Sequence, residues 1–239
     1  MNDRKELKET LKSARYKKIF NSLQFKILDT YNEKKLKFYS YIRLGLLCKY
    51  YKSIKAIYRL DSEGFFEDAN IILRTVFENF ITIMYCESNP KNLYKRFFDY
   101  NVITRLQYAI GDNEVTELIN VIKKEEVEEM KKRKNEFKRN YKERKIFNWN
   151  NMNVLVLCKK LDKYYKTTFY TSMYIIVYKN NSEFIHPNIV NIFENYISIN
   201  RSSKKININC NAVANDDFVW IIENLEAINQ ELLKIELVW

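Results

Sequence analysis

The sequence predicts an all-α fold, a multi-helix bundle with a long charged helical arm, and three observations carry that expectation. Only three Gly and two Pro occur in 239 residues, too few for the tight turns of a sandwich or barrel. Hydrophobic residues make up 46% and aromatics 15%, ample for a buried core at this length. Apolar residues recur three and four apart in long runs, the period of an amphipathic helix.

Each element has its own signal. Residues 4–30 place Leu7, Leu11, Ile19, Leu23 and Ile27 near one stripe of a first helix. A second helix, rich in Tyr, Leu and Ile, spans 34–60 and stops at Asp61-Ser-Glu-Gly64. The third, 65–87, is apolar nearly all round, as a central helix should be. Ser88-Asn89-Pro90 ends it, and a fourth follows over 91–110. From Lys123 to Lys145 the chain is almost wholly Lys, Arg and Glu, with Glu128/Lys132 and Glu129/Arg133 four apart, a pattern that supports an exposed helix. This arm reads as solvated, with a nucleic-acid or protein contact as the alternative. Helices over 151–163 and 168–186 follow, and Pro187 opens another to about 199. Residues 201–211 read as a loop with a short extended piece, and Asp216 caps a closing helix over 217–236. The expected organisation is an N-terminal helix at 1–33, a helical core domain at 34–200 that includes the arm (112–147), and a loop and C-terminal helix at 201–239 packing on the core.

Composition also bounds function. The net charge of +11 suits a polyanionic partner such as RNA, through counterion release from phosphates. Codon bias toward Lys, Asn, Ile, Tyr and Phe would produce the same excess. Cys48, Cys86, Cys158 and Cys210 are far apart with no Cys-x-x-Cys pair, which matches neither a zinc knuckle nor a redox motif and suggests buried free thiols in a reducing cytoplasm. The charged N-terminus lacks an apolar signal core. No stretch approaches the roughly 18–20 apolar residues of a membrane span. A cytoplasmic protein without membrane, metal or cofactor is expected.

Two constellations could carry chemistry. Arg74 and Glu78 share one face of the apolar third helix, where burying charge is costly unless the groups are paired or serve a site. An ion pair fixing how helices dock is the alternative. Tyr178, Ser182 and His186 again lie four apart, and His186 is the only histidine. Proline at 187 should end the helix there, leaving the imidazole at the carbonyl end of the helix dipole. It could act as general acid or base with Ser182 or Tyr178 orienting it, or simply cap the helix. Glu183-Phe-Ile-His186 has the form of a di-iron ligand pair, but the site needs a second histidine. Ser182 has no glycine elbow beside it, which excludes a hydrolase triad of that kind. No Gly-rich phosphate loop occurs.

In order and spacing, Ile71-Ile-Leu-Arg74-Thr-Val-Phe-Glu78, then Trp149, then Tyr170, Tyr174, Tyr178, Ser182 and His186 resemble a widespread bacterial family, the domain of unknown function family 5677. The resemblance covers about residues 35–200. It implies an all-helical protein in which Arg74, Glu78, Ser182 and His186 belong to one site. More distantly, the layout is similar to the HEPN class of helical nucleases of toxins and antiviral defence. That likeness implies RNA cleavage without metal, using an Arg five or six residues before the His. Here those positions hold Asn181 and Asn180, with Lys179 next; Arg74 could supply the cation from another helix. The expected function is a metal-independent endoribonuclease of a defence or toxin system. The alternative is a non-catalytic helical module in such an assembly. RNA, a protein partner and a second copy of the chain are the candidate partners.

Overall fold

The computed structural model describes residues 2–32, 37–110, 124–181, 197–200, 205–208 and 218–234. The architecture is the expected helical one. Helix α1 (Asn2–Tyr31) turns Tyr16, Ile19 and Leu23 into the core. The expected stripe is wrong at one point: Leu11 is 57% exposed and Lys12 only 4%. Lys12 lies inside because its ammonium sits 2.9 Å from the Asp61 carboxylate and donates to the Asp61 carbonyl. The Tyr16 hydroxyl donates to the other carboxylate oxygen.

Helix α2 (Phe38–Ser62) packs Leu47, Tyr50, Ile54 and Ile57 inward. It ends where expected, because Gly64 takes a φ of 85° that side chains resist. Helix α3 (Phe66–Glu87) is central, touching α2 and most of the later helices. Leu73, Val76, Phe77, Phe80 and Ile83 are buried. Helix α4 (Pro90–Ile110) starts on proline, whose missing N–H costs nothing at a first helical position. Arg43 of α2 donates twice to Glu87 of α3, at 2.7 Å each, and the Tyr94 hydroxyl of α4 donates to the same carboxylate. This network ties three helices together inside the core.

Helix α5 (Lys124–Asn140) keeps the expected exposed charged face, including the Glu129–Arg133 pair, and departs from a freely solvated arm on its other face. It lies along α4, with Met130 and Phe137 buried and the Phe137 ring 6.1 Å from that of Tyr100. It stops at Asn140 and not at 145, because the chain turns through Lys142 at a φ of 55°. Arg96 then captures the returning segment, donating to the Trp149 carbonyl and to Glu143. The Trp149 ring packs between Tyr85 and Phe97.

Helix α6 (Val154–Tyr165) is N-capped by Asn153, whose side chain accepts the Val156 N–H at 2.9 Å. Lys166 closes it in the left-handed region. Asp162 then accepts the N–H groups of Tyr170 and Thr171, which caps the next helix, α7 (Phe169–Met173). That helix continues as a π-helical turn, Tyr174–Lys179. The helix expected to reach residue 199 is contradicted at its end. Ile197–Asn200 is strand β1, antiparallel to β2 (Lys205–Ile208), with Ile197 opposite Ile208. Residues 187–196 and the cap at Asp216 lie outside the described residues.

Helix α8 (Phe218–Leu233) buries Ile221, Ile222, Leu225, Ile228 and Leu232 against α1 and α3. Arg15 grips Glu226 through two hydrogen bonds, and Asn229 donates to Ser22. Cys86 and Cys158 are buried free thiols as expected, but Cys48 is exposed. Burial pushes Cys86 well above its ordinary range and Cys158 to about 12. Cys210 lies outside the described residues.

Candidate functional site

Arg74 leaves α3 near its middle and meets Tyr178 of the π-helical turn. Its guanidinium donates to the Tyr178 hydroxyl at 2.7 Å, and its central carbon lies 4.1 Å from the Tyr178 ring centroid. Glu78, one turn along α3, approaches the Arg74 Nε at 3.7 Å. Two residues 104 apart in sequence thus share one contact, so the structure brings Arg74, Glu78 and Tyr178 together. Ser182 and His186 lie outside the described residues.

The local backbone explains the alignment. On an α-helix of 3.6 residues per turn, each step of four drifts about 40° around the axis. Bonding from i to i+5 widens the turn and takes that drift back. The Tyr174 and Tyr178 rings accordingly stack, 5.2 Å apart and 21° from parallel. Tyr170, one step earlier, stacks on Phe80 of α3. The tyrosine stripe therefore follows α3 in the antiparallel sense, from Phe80 at one end to Arg74 at the other. π turns of this kind recur at functional sites.

Its electrostatics differ from the buried ion pair that the sequence suggests. The Arg74 side chain is 19% exposed and that of Glu78 46%, so the pair sits at the rim of the bundle and not sealed within it. Burial raises the Tyr178 phenol above its ordinary 10; the Arg74 hydrogen bond opposes this and Glu78 reinforces it. At neutral pH Tyr178 is a neutral hydroxyl, fixing a guanidinium without cancelling its charge. An oriented, partly solvated cation of this kind can receive a phosphate or carboxylate oxygen.

Sequence reasoning missed one neighbour. Asn181, three residues past Tyr178, is fully buried, and among the described residues neither polar atom of its carboxamide finds a hydrogen-bond partner. Such a group costs about 1–3 kcal/mol; its only sequence signal is a polar residue in phase with buried Val177. A cleft of about 460 Å3 opens between α4 and α5, lined by Val102, Met130 and several charged residues; Arg74 takes no part in it. Among the described residues, no three His, Cys, Asp or Glu side chains gather as metal ligands, and no helix is long and apolar enough to cross a membrane.

A family model described as a family of unknown function (DUF5677) matches residues 40–206. No curated protein matches the chain, and no solved structure does. The matched span contains Arg74, Glu78, Trp149, Tyr178, Ser182 and His186. Helix α1 and helix α8 lie outside it.

Proposed function

The chain belongs to this family of unknown function, DUF5677, and from that premise we propose that it is a HEPN-like, metal-independent endoribonuclease of a bacterial defence or toxin system. One observation carries the reading: a guanidinium fixed by Tyr178 and Glu78, yet still partly open to solvent, at a π turn leading into Ser182 and His186. In this reaction the ribose 2′-oxygen attacks phosphorus and the 5′-oxygen leaves. The products are a 2′,3′-cyclic phosphate end and a free 5′-hydroxyl. His186 takes the proton of the 2′-hydroxyl and returns it to the departing oxygen. Arg74 stabilises the charge gathering on the pentavalent phosphate. Tyr178 and Glu78 hold Arg74, and Ser182 orients His186.

A second reading rests on the same contact. The hydrogen bond and ring stacking between Arg74 and Tyr178 join α3 to the π-helical turn, as they would in a non-catalytic helical module that binds a protein partner or a second copy of the chain. Expression of wild type and His186→Ala in bacteria separates the two, with growth, RNA integrity and folded stability followed together. Toxicity and RNA decay that vanish in a fully folded variant support the nuclease. An inert wild type, or a variant that merely unfolds, supports the module.

A further inference from the structure

We propose that the segment from Lys131 to Phe147 is a binding surface for single-stranded nucleic acid, with Phe147 as a stacking platform. Over these residues nine Lys and Arg stand against two Glu, a formal +7 out of the chain's +11. Codon bias would spread cations along the chain, and this concentration is not spread. Helix-dipole compensation accounts for Glu125 and Glu126 in the first turn of α5 and for Lys138 and Arg139 in the last. It does not account for Lys142, Arg144 and Lys145, which lie beyond the helix end and are exposed. Among the described residues none of these five cations forms a salt bridge, and Glu143 is taken by Arg96.

Phe147 is the second observation. At 75% exposure it is the most exposed large apolar side chain among the described residues. Its loop is built, not slack. The Phe147 N–H donates to the Asn151 side chain at 2.9 Å, and Asn151 donates in turn to the Lys145 carbonyl and to Glu143. Asn148 donates to the Met152 carbonyl. Asn151 takes a φ of 56°, and Arg96 holds the Trp149 carbonyl at 2.7 Å. With Trp149 anchored inward, Phe147 faces solvent two residues after Lys145.

A rigid aromatic ring among backbone-neutralising charges is the arrangement that binds unpaired bases, because stacking needs a base free of its duplex. An acidic polypeptide would use the cations and leave Phe147 idle. The surface is built on α5 and the loop after it, and the Arg74 cluster on α3 and the π-helical turn; binding here does not require that the protein cut RNA.

The test uses the full chain carrying Arg74→Gln, so that binding is read without cleavage. Fluorescence anisotropy follows a labelled 2′-O-methyl oligouridine of about 15 nucleotides, within the range of single-strand site sizes. Phe147→Ala, at an exposed position, should raise Kd about tenfold. Arg139→Gln, Arg144→Gln and Lys145→Gln together should lower the slope of log K against log salt by about 2, at roughly 0.7 per cation. Absence of saturable binding, or an affinity that Phe147→Ala leaves unchanged, would overturn the proposal. So would a polyglutamate peptide that binds as tightly as the oligonucleotide and is indifferent to Phe147.

Discussion

Replacing Arg43 by Met should be among the most damaging single changes in the core. Arg43 and Glu87 have side chains 3% and 4% exposed, and two hydrogen bonds of 2.7 Å join them. Met fills much the same volume but removes both donors, leaving Glu87, among the hydrogen bonds of the described residues, with that from the Tyr94 hydroxyl. An uncompensated charge in such a place costs about 3–5 kcal/mol. For a chain of this length each kcal/mol lowers Tm by roughly 2–4 °C, so a fall of about 6–20 °C is expected. Urea and thermal melts followed by circular dichroism measure both quantities. Because the pair bears its own desolvation cost, joint replacement of Arg43 by Met, Glu87 by Leu and Tyr94 by Phe should recover most of the loss. A single variant destabilised by less than about 1 kcal/mol would show that the pair does not hold α2, α3 and α4 together.

Other consequences follow from the same geometry. The hydrogen bonds from Arg15 hold the Glu226 carboxyl below its ordinary 4.5, so the pair stabilises the fold above that pH and loses its effect as pH falls through the folded value. With both side chains about a third exposed, the pair contributes at most about 1 kcal/mol. Urea midpoints of wild type and Glu226→Gln should differ at pH 7 and converge in acid, and a gap independent of pH would contradict this. In native protein Cys48 should react rapidly with a thiol reagent, while Cys86 and Cys158 stay protected until unfolding. Prompt labelling of Cys158 would contradict its burial. Phe137→Ala should cost about 3–4 kcal/mol, speeding hydrogen exchange in α5 while α3 stays protected. Uniform loss across both helices would show that α5 does not dock as an independent layer.

Helix α3 announces itself because a central helix is apolar all round, and Gly64 marks the end of α2 because few other residues accept its φ. Lys12 and Arg43 mislead because a charged helical residue ordinarily faces water. Their partners, Asp61 and Glu87, lie 49 and 44 residues away, beyond any local pattern. The hairpin does carry a signal, since Ile-Ser-Ile-Asn and Lys-Ile-Asn-Ile alternate with the period of a strand; the helix read across the first of them hid it. At the site, the spacing of four put Arg74 beside Glu78. The resemblance joined Arg74 and Glu78 to Ser182 and His186, and Tyr178 entered only through its spacing of four from Ser182; its direct hydrogen bond to Arg74 had no local signal, since composition does not disclose a π turn. Exposure of the pair was illegible for the same reason that α3 was plain: on a helix so apolar, every charge looks buried.

In the proposed reaction Arg74 is an oriented cation for a transferring phosphate. Cleavage of an end-labelled RNA in EDTA, by wild type and by Arg74→Gln of matched folded stability, tests it most directly. Metal-free cleavage leaving 2′,3′-cyclic phosphate ends is expected, reduced at least about a hundredfold by the substitution. No cleavage by the wild type, or equal cleavage by the variant, would contradict it.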